Sequence, residues 1–280
     1  MDRANQTTDA QQKRSSGILS DSNDVTEDPQ YSLARILGIW AAVAIPMPIL
    51  AFVVAPALVA RYELNYALTV WLLLIGGMIW QFILSAWILY RELPEITWAA
   101  ICERIWLRKP SDPRTGRSRY RLFLWLIPAF LFYAAIEMTP VEDWIGRLIL
   151  IPLPFLERLP VLELQEIVQP EFVGAWWLMG VAVIACIFNY FLGEELLFRG
   201  VLLPKMRGVF GKWDWVANSA LFALYHLHRP TQMLAFVIGG FAYSLPSRYF
   251  RSIWFAIILH GLEGVPLLIG VYLLVSGRAF

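Results

Sequence analysis

Charged residues are scarce in this chain. They make up 16% of its 280 residues, whereas an ordinary soluble domain has about 25%. The net charge is only +1, so no bulk positive field indicates a nucleic-acid partner. Cysteine is scarce too: Cys102 lies in a basic segment and Cys186 inside an apolar run. This pattern predicts neither a disulfide nor a zinc knuckle.

Long apolar runs are what the chain has instead. Hydrophobic residues make up 58% of it, and the mean hydropathy is +0.56. Four uncharged runs are long enough, at about 1.5 Å per residue, to cross about 30 Å of hydrocarbon. We therefore expect an all-α fold, a polytopic transmembrane helical bundle of about seven spans. The predicted spans are 36–60, 64–90, 122–136, 172–193, 215–227, 230–247 and 252–277.

Two segments do not fit the pattern of membrane spans. Residues 1–32 are polar and poor in aromatic residues, which is typical of a disordered tail. No apolar segment follows the start closely enough for a signal peptide. Residues 148–156 are apolar but short and contain Pro152 and Pro154, so we expect an interfacial or re-entrant piece.

The basic residues predict an orientation in the membrane. With the N-terminus placed inside, most of the 23 Lys and Arg residues fall on the inner side, many of them in the loop 91–121. The acidic loop 137–171 then lies outside. This distribution follows the positive-inside rule. We expect residues 33–171 to form N-terminal transmembrane helices, with a cytosolic N-terminus and an outer C-terminus, in the plasma or, for a prokaryotic protein, inner membrane.

Two adjacent glutamates occur near the end of the fourth predicted span. Glu195 and Arg199 are four residues apart, so they can pair on one face of a helix. Glu194 points elsewhere and has no obvious local partner. A carboxylate at membrane depth suits a general base or a metal ligand. The alternative is a pair of glutamates that caps a helix at the cytosolic interface.

All three histidines lie in the last 60 residues. His226 follows Phe222 by one helical turn, and His260 precedes Glu263 by three residues. Each also has a structural interpretation, because a lone histidine can be satisfied by a neighbouring helix and a polar pair can join two helices. His228 lies near a predicted membrane exit, and we interpret it as interfacial rather than catalytic.

Counting residues from the predicted helix ends gives the depth of each group. Glu194, His226 and His260 come out at depths of about 18, 18 and 12 Å. The three groups can therefore meet inside the bundle. A helix over residues 172–206 has a length of about 50 Å, so it must tilt, break or start later than Phe172.

Three motifs in this region resemble those of a known family. The chain is similar over roughly residues 174–270 to the CAAX prenyl protease 2 and bacteriocin-processing (CPBP, or Abi) intramembrane proteases. The motifs are Glu-Glu-x-x-x-Arg at Glu194, Glu195 and Arg199; Phe-x-x-x-His at Phe222 and His226; and His-x-x-x-Asn or Asp, matched at His260 but not at Gly264. Residues 172–277 are thus expected to form the catalytic membrane domain.

The resemblance implies hydrolysis of a peptide bond within the membrane. Glu194 activates water in this scheme, and His226 and His260 orient that water, bind a metal or stabilise the oxyanion. Glu195 with Arg199 braces the helix. The family implies either a zinc ion held by Glu194, His226 and His260 or a metal-independent glutamate mechanism. The implied partners are membrane lipids and a membrane peptide or protein substrate, such as a prenylated peptide, and no nucleic acid.

Gly264 departs from the family pattern. The Asn or Asp that helps to hold the catalytic water is missing, and Glu263, one residue earlier, is the candidate substitute. Two alternatives follow: a catalytically inactive relative that acts as a membrane immunity or scaffold protein, and a proton- or metal-linked transporter that uses Glu194, His226 and His260. No His-Glu-x-x-His or Gly-x-Ser-x-Gly motif occurs, which argues against other intramembrane protease classes.

Overall fold

Helices make up the regular structure of this protein. The computed structural model describes residues 29–137, 140–159 and 164–279, and within these ranges it contains no β-strand. The predicted all-α class is therefore confirmed. The helices discussed below are, in chain order, α1 Leu33–Tyr62, α2 Tyr66–Glu92, α3 Trp98–Arg104, α4 Tyr120–Glu137, α5 Val141–Leu150, α6 Trp177–Lys205, α7 Asp214–Tyr225, α8 Met233–Gly239, α9 Phe241–Phe250 and α10 Trp254–Val275.

Five helices in the described residues are long and apolar enough to cross a membrane. They are α1, α2, α4, α6 and α10. The predicted count of seven spans is not confirmed, because α7 has only 12 residues, a length of about 18 Å. The span predicted at 230–247 is divided between α8 and α9 at Gly240. The chain is thus an integral membrane protein with five candidate spans.

Two predicted segments lie at the edges of the described structure. The predicted disordered tail, residues 1–32, falls almost wholly outside the described residues. Residues 148–156 contain the end of α5 and part of a 3-10 turn at Pro154–Arg158. This segment therefore has no helix of membrane-spanning length, and its interfacial position stays a prediction.

The starts of the first three helices are fixed by side-chain caps. Ser32, Asn65 and Thr97 accept hydrogen bonds from backbone N–H groups in the first turns of α1, α2 and α3. Such caps satisfy amides that have no partner within the helix. The bulk of each long helix is then stabilised by lipid-facing and buried apolar side chains. Large side chains such as Trp87, Leu131 and Ile269 remain exposed on α2, α4 and α10, as expected for surfaces that face hydrocarbon.

The helix α6 is irregular where it carries the two glutamates. It starts at Trp177, later than Phe172, which shortens the improbably long helix that the sequence suggested. Two π-helical segments, Phe188–Leu192 and Leu196–Leu202, flank the pair. Between them, Gly193 allows a close approach to α2, because a Cβ there would lie 2.5 Å from the Phe188 carbonyl oxygen and 3.0 Å from that of Met78. π-Helical turns of this kind occur frequently at functional sites.

The predicted basic loop 91–121 contains a buried arginine. Arg104, at the end of α3, forms an ion pair with Glu92 at 2.8 Å. Its guanidinium also donates to the carbonyl oxygens of Gly200 and Val201, at 3.3 and 3.2 Å. These carbonyls belong to the second π-helical segment. Arg104 therefore fixes the end of α6 from the side of the loop.

Candidate active site

Three elements bring the predicted site residues together. The irregular part of α6 carries Glu194 and Glu195, and α10 carries His260 and Glu263. His226 follows the last residue of α7 directly, as its C-cap. Side chains from α6, α7 and α10 thus meet in one buried cluster, although they are far apart in the sequence.

Glu194 lies at the centre of this cluster and is almost fully buried. The Nε2 atom of His226 is 3.9 Å from its Oε1, and the Nε2 atom of His260 is 3.9 Å from its Oε2. Both separations are too long for direct hydrogen bonds. With its amide nitrogen turned toward Glu194, Asn189 donates to both carboxylate oxygens at 3.0 and 3.2 Å. Glu194 is therefore held by Asn189 and faced by two histidines.

The other ring nitrogen of each histidine fixes its orientation. The Nδ1 atom of His226 is 2.9 Å from the carbonyl oxygen of Phe222, and the Nδ1 atom of His260 is 2.8 Å from Oε1 of Glu195. A carbonyl or a carboxylate only accepts hydrogen bonds, so each Nδ1 carries the proton and donates it. In the neutral ring, Nε2 then presents its lone pair toward Glu194.

Glu195 and Arg199 form the ion pair that their spacing predicts. The two side chains are fully buried, and the Arg199 NH1 atom is 3.3 Å from Oε1 of Glu195. The guanidinium also lies 4.1 Å from the ring centroid of Phe222, a cation–π contact. The same Glu195 oxygen accepts from His260. Glu195 therefore contacts both Arg199, its ion-pair partner on α6, and His260, which faces Glu194.

Tyr190 fills the space beside Gly264. A Cβ at position 264 would lie 2.7 Å from Cε2 of Tyr190, and the Tyr190 ring meets the His260 ring edge-on at a centroid distance of 4.8 Å. Glu263 faces the site, with Oε2 at 3.8 Å from Nε2 of His260. Its other oxygen accepts a hydrogen bond from the Tyr243 hydroxyl. The missing Asn or Asp side chain is thus replaced in space by a tyrosine ring and, nearby, by a carboxylate.

Several residues of the site were not predicted. His228, interpreted as interfacial rather than catalytic, is buried, with its ring stacked on His226 at a centroid distance of 5.5 Å. Asn189 is a polar residue inside an apolar run, and that signal could have identified it. The sequence does not identify Tyr190 and Tyr243 as site residues, because an aromatic residue in an apolar segment usually belongs to the core.

Two cavities meet at Glu194, and they differ in character. The smaller has a volume of about 130 Å³ and a largely polar lining that includes both histidines of the cluster and Glu263. The larger, of about 620 Å³, also reaches Glu194 and His226 but has a mainly apolar lining. Its apolar lining residues include Trp71, Leu74, Met78, Leu178, Leu267 and Val271.

The arrangement of these donors does not match a zinc site. Ligands of a tetrahedral zinc ion, bound at about 2.0–2.1 Å, lie about 3.3 Å from one another. The separations from Glu194 to His226 and to His260 are 3.9 Å. Within the described residues, no group of three or more His, Cys, Asp or Glu side chains is arranged to hold a metal ion.

Comparison with known proteins identifies a related family. Residues 172–264 match the family model of Rce1-like type II CAAX prenyl endopeptidases. The matched segment contains the Glu194 cluster up to Gly264, so the resemblance that the motifs carry is confirmed, and a protease is supported at the level of the family. No curated protein and no solved structure matches the chain.

Proposed function

We propose that this protein is an intramembrane endopeptidase that cleaves a membrane-associated substrate with a water molecule activated by Glu194. The observation that carries the proposal is the convergence of His226 Nε2 and His260 Nε2 on the buried Glu194 carboxylate, each at 3.9 Å. A water molecule can bridge polar atoms at such separations. The segment that holds these residues matches the protease family.

Glu194 is the general base of the proposed reaction. Its carboxylate takes one proton from the bound water, and the water oxygen forms a bond to the carbonyl carbon of the peptide. Glu194 then gives this proton to the amide nitrogen as the carbon–nitrogen bond breaks. The products are a new carboxyl group and a new amine, and the glutamate returns to its starting state.

The two histidines have different roles in this scheme. The Nδ1–H group of His226 donates a hydrogen bond to the Phe222 carbonyl oxygen. The lone pair on Nε2 is therefore free to accept a hydrogen bond from the second O–H group of the water. His260 is held by Glu195, and in its protonated form Nε2–H donates to the oxyanion that develops on the peptide carbonyl. Glu263, with Oε2 at 3.8 Å from His260 Nε2, takes the role of the absent Asn or Asp.

Glu195 and Arg199 act on the reaction through His260. Their buried ion pair fixes the Glu195 oxygen that accepts from His260 Nδ1. Asn189 restrains Glu194 in the same manner through its amide. These three are therefore positioning residues, and Glu194, His226 and His260 are the groups that touch the reacting atoms.

The larger cavity suggests the chemical class of the substrate. Its wall is mostly apolar and includes Glu194 and His226, so a substrate can place an apolar chain there and its peptide bond at the carboxylate. The family model is named for prenyl endopeptidases. We propose a peptide that bears an isoprenyl group, with an unmodified membrane peptide as the second class.

The test is cleavage of a library of membrane and prenylated peptides by the purified protein in detergent. Glu194→Gln keeps the size of the side chain but removes the base, and we expect a loss of about 10²–10⁴-fold in rate. Glu171→Gln is the matched control, because Glu171 is an exposed carboxylate outside the cluster. Equal cleavage by wild type and Glu194→Gln would contradict the proposal.

A chelator tests the role of a metal in the same assay. Unchanged cleavage after treatment with a zinc chelator is expected for the glutamate mechanism. Loss of cleavage that returns when zinc is added back would replace it with a metalloprotease mechanism. The scaffold and transporter alternatives both predict that neither wild type nor any variant releases peptide products.

A further inference from the structure

A third cavity lies away from the Glu194 cluster and is strongly basic. It has a volume of about 550 Å³ and shares no lining residue with the two cavities at Glu194. It is formed by the turn after α6, the start of α7, the end of α9 and part of the 91–121 loop. Its charged lining residues are Arg207, Lys212, Arg248, Arg251, Asp112 and Asp214.

Both carboxylates in the lining of this cavity already have partners. Asp214 forms an ion pair with Arg248, and Asp112 accepts hydrogen bonds from backbone N–H groups of its own loop. In the described part of the chain, no carboxylate forms an ion pair with Arg207, Lys212 or Arg251. Among the described residues, these three cations therefore line the cavity without a carboxylate at ion-pair distance.

These cations also repel one another. Burial, followed by the guanidinium groups of Arg248, Arg108 and Arg207, lowers the pKa of Arg251. Positive groups that are held together in a concave site create a local potential that attracts anions. An anion bound between them would relieve the repulsion, and guanidinium groups match the geometry of phosphate oxygens.

The position of the cavity indicates where such an anion comes from. It lies where three helices end or begin, at Lys205 of α6, Phe250 of α9 and Trp254 of α10. Tyr249 and Trp213 are exposed beside it, and aromatic residues of this kind concentrate at the level of lipid headgroups. A cavity at helix ends, beside such aromatic residues, is expected at the level of the headgroups rather than in the hydrocarbon.

We propose that Arg207, Lys212 and Arg251 bind the phosphate group of an anionic membrane phospholipid in this cavity. Basic pockets at the cytoplasmic ends of transmembrane helices bind lipid headgroups by this chemistry. The site does not depend on the proposed peptidase reaction, since it shares no residue with it. Its ligand is a resident of the membrane, and its phosphate stabilises the junction of α6, α9 and α10.

The test is native mass spectrometry of the full-length protein in detergent, with added phosphatidylglycerol, phosphatidylcholine or inorganic phosphate. We expect wild type to retain phosphatidylglycerol in preference to phosphatidylcholine. The variant Arg207→Gln/Lys212→Gln/Arg251→Gln should bind it about 10- to 100-fold more weakly. The charge-matched control Arg114→Gln/Arg117→Gln/Arg121→Gln removes three exposed cations outside the cavity and should retain the lipid.

Two results would overturn the proposal. Equal loss of lipid in both triple variants would mean that overall charge, and not this cavity, attracts lipid. Displacement of phosphatidylglycerol by an equal concentration of inorganic phosphate would identify a site for a free phosphate compound. If the triple variant does not fold, the double variant Arg207→Gln/Lys212→Gln, at two exposed positions, should still lose part of the affinity.

Discussion

The helices α2 and α6 pack against each other but are built differently. α2 runs for 27 residues without interruption. α6 has a similar length of 29 residues, yet two π-helical segments and a break at Gly193 interrupt it where the glutamates lie. The regular helix contributes apolar side chains to the lining of the larger cavity, among them Trp71, Leu74 and Met78. The irregular one carries Glu194 and Glu195 between its two π-helical segments, where Glu194 faces His226 and Glu195 pairs with Arg199.

The largest expected effect on stability concerns the irregular part of α6. Glu195→Gln leaves Arg199 as an uncompensated buried charge, and we expect a loss of about 3–5 kcal/mol in the free energy of unfolding. Glu103→Gln, at the exposed ion pair with Arg108, should cost less than about 1 kcal/mol. Unfolding in detergent mixtures measures both. Similar losses in the two variants would show that the α6 pair is not the buried brace described above.

The two stacked histidines differ in their expected effect on activity. His226→Ala removes the ring that faces Glu194, and we expect cleavage to fall about 10²–10³-fold. His228→Ala removes a ring that stacks on His226 and lines the larger cavity but has no proposed contact with the reacting atoms, so activity should fall about ten-fold or less. The ratio of the two cleavage rates is the measurement. A larger loss in His228→Ala would reverse the assignment of the water-orienting ring.

The regular and the irregular part of α6 each contain a glycine that can be used to compare them. Gly193→Ala places a Cβ against backbone oxygens of α6 and α2, and overpacking of this kind costs about 1–3 kcal/mol. Gly180→Ala, in the regular part, meets no atom within 4 Å and should stabilise the helix by up to about 1 kcal/mol. Thermal unfolding of the two variants compares them directly. Equal stability would mean that the close approach at Gly193 is not required.

The smallest expected effect concerns Gly264. Its substitution by Ala presses on the Tyr190 ring and should reduce cleavage about ten-fold through displacement of His260. Gly261→Ala, also in α10 but in open space, is the control and should retain activity.

A rescue experiment tests whether Tyr190 occupies the place of the side chain that is missing at position 264. The double variant Tyr190→Ala/Gly264→Asn empties the space and introduces the side chain that the family pattern has. We expect it to cleave faster than Gly264→Asn alone. No gain from the second substitution would show that the tyrosine does not occupy the place of the missing residue.

The sequence predicted the helical membrane fold and the main cluster because both follow from local patterns. Long apolar runs identify α1, α2 and α10. The depth estimate placed Glu194, His226 and His260 at similar levels in the bundle. The number of spans was not predictable, because apolar composition does not reveal the break between α8 and α9 at Gly240. The burial of His228 and the packing of Tyr190 on Gly264 depend on tertiary contacts that no local pattern carries.

The most direct test of the role of Glu194 separates substrate binding from catalysis. For a substrate found in the peptide library, Kd and kcat are measured for wild type and Glu194→Gln. We expect a Kd that changes by no more than about three-fold and a kcat that falls at least about 100-fold, because the base acts only in the chemical step. An unchanged kcat, or a loss that lies wholly in Kd, would contradict the claim that Glu194 activates the attacking water.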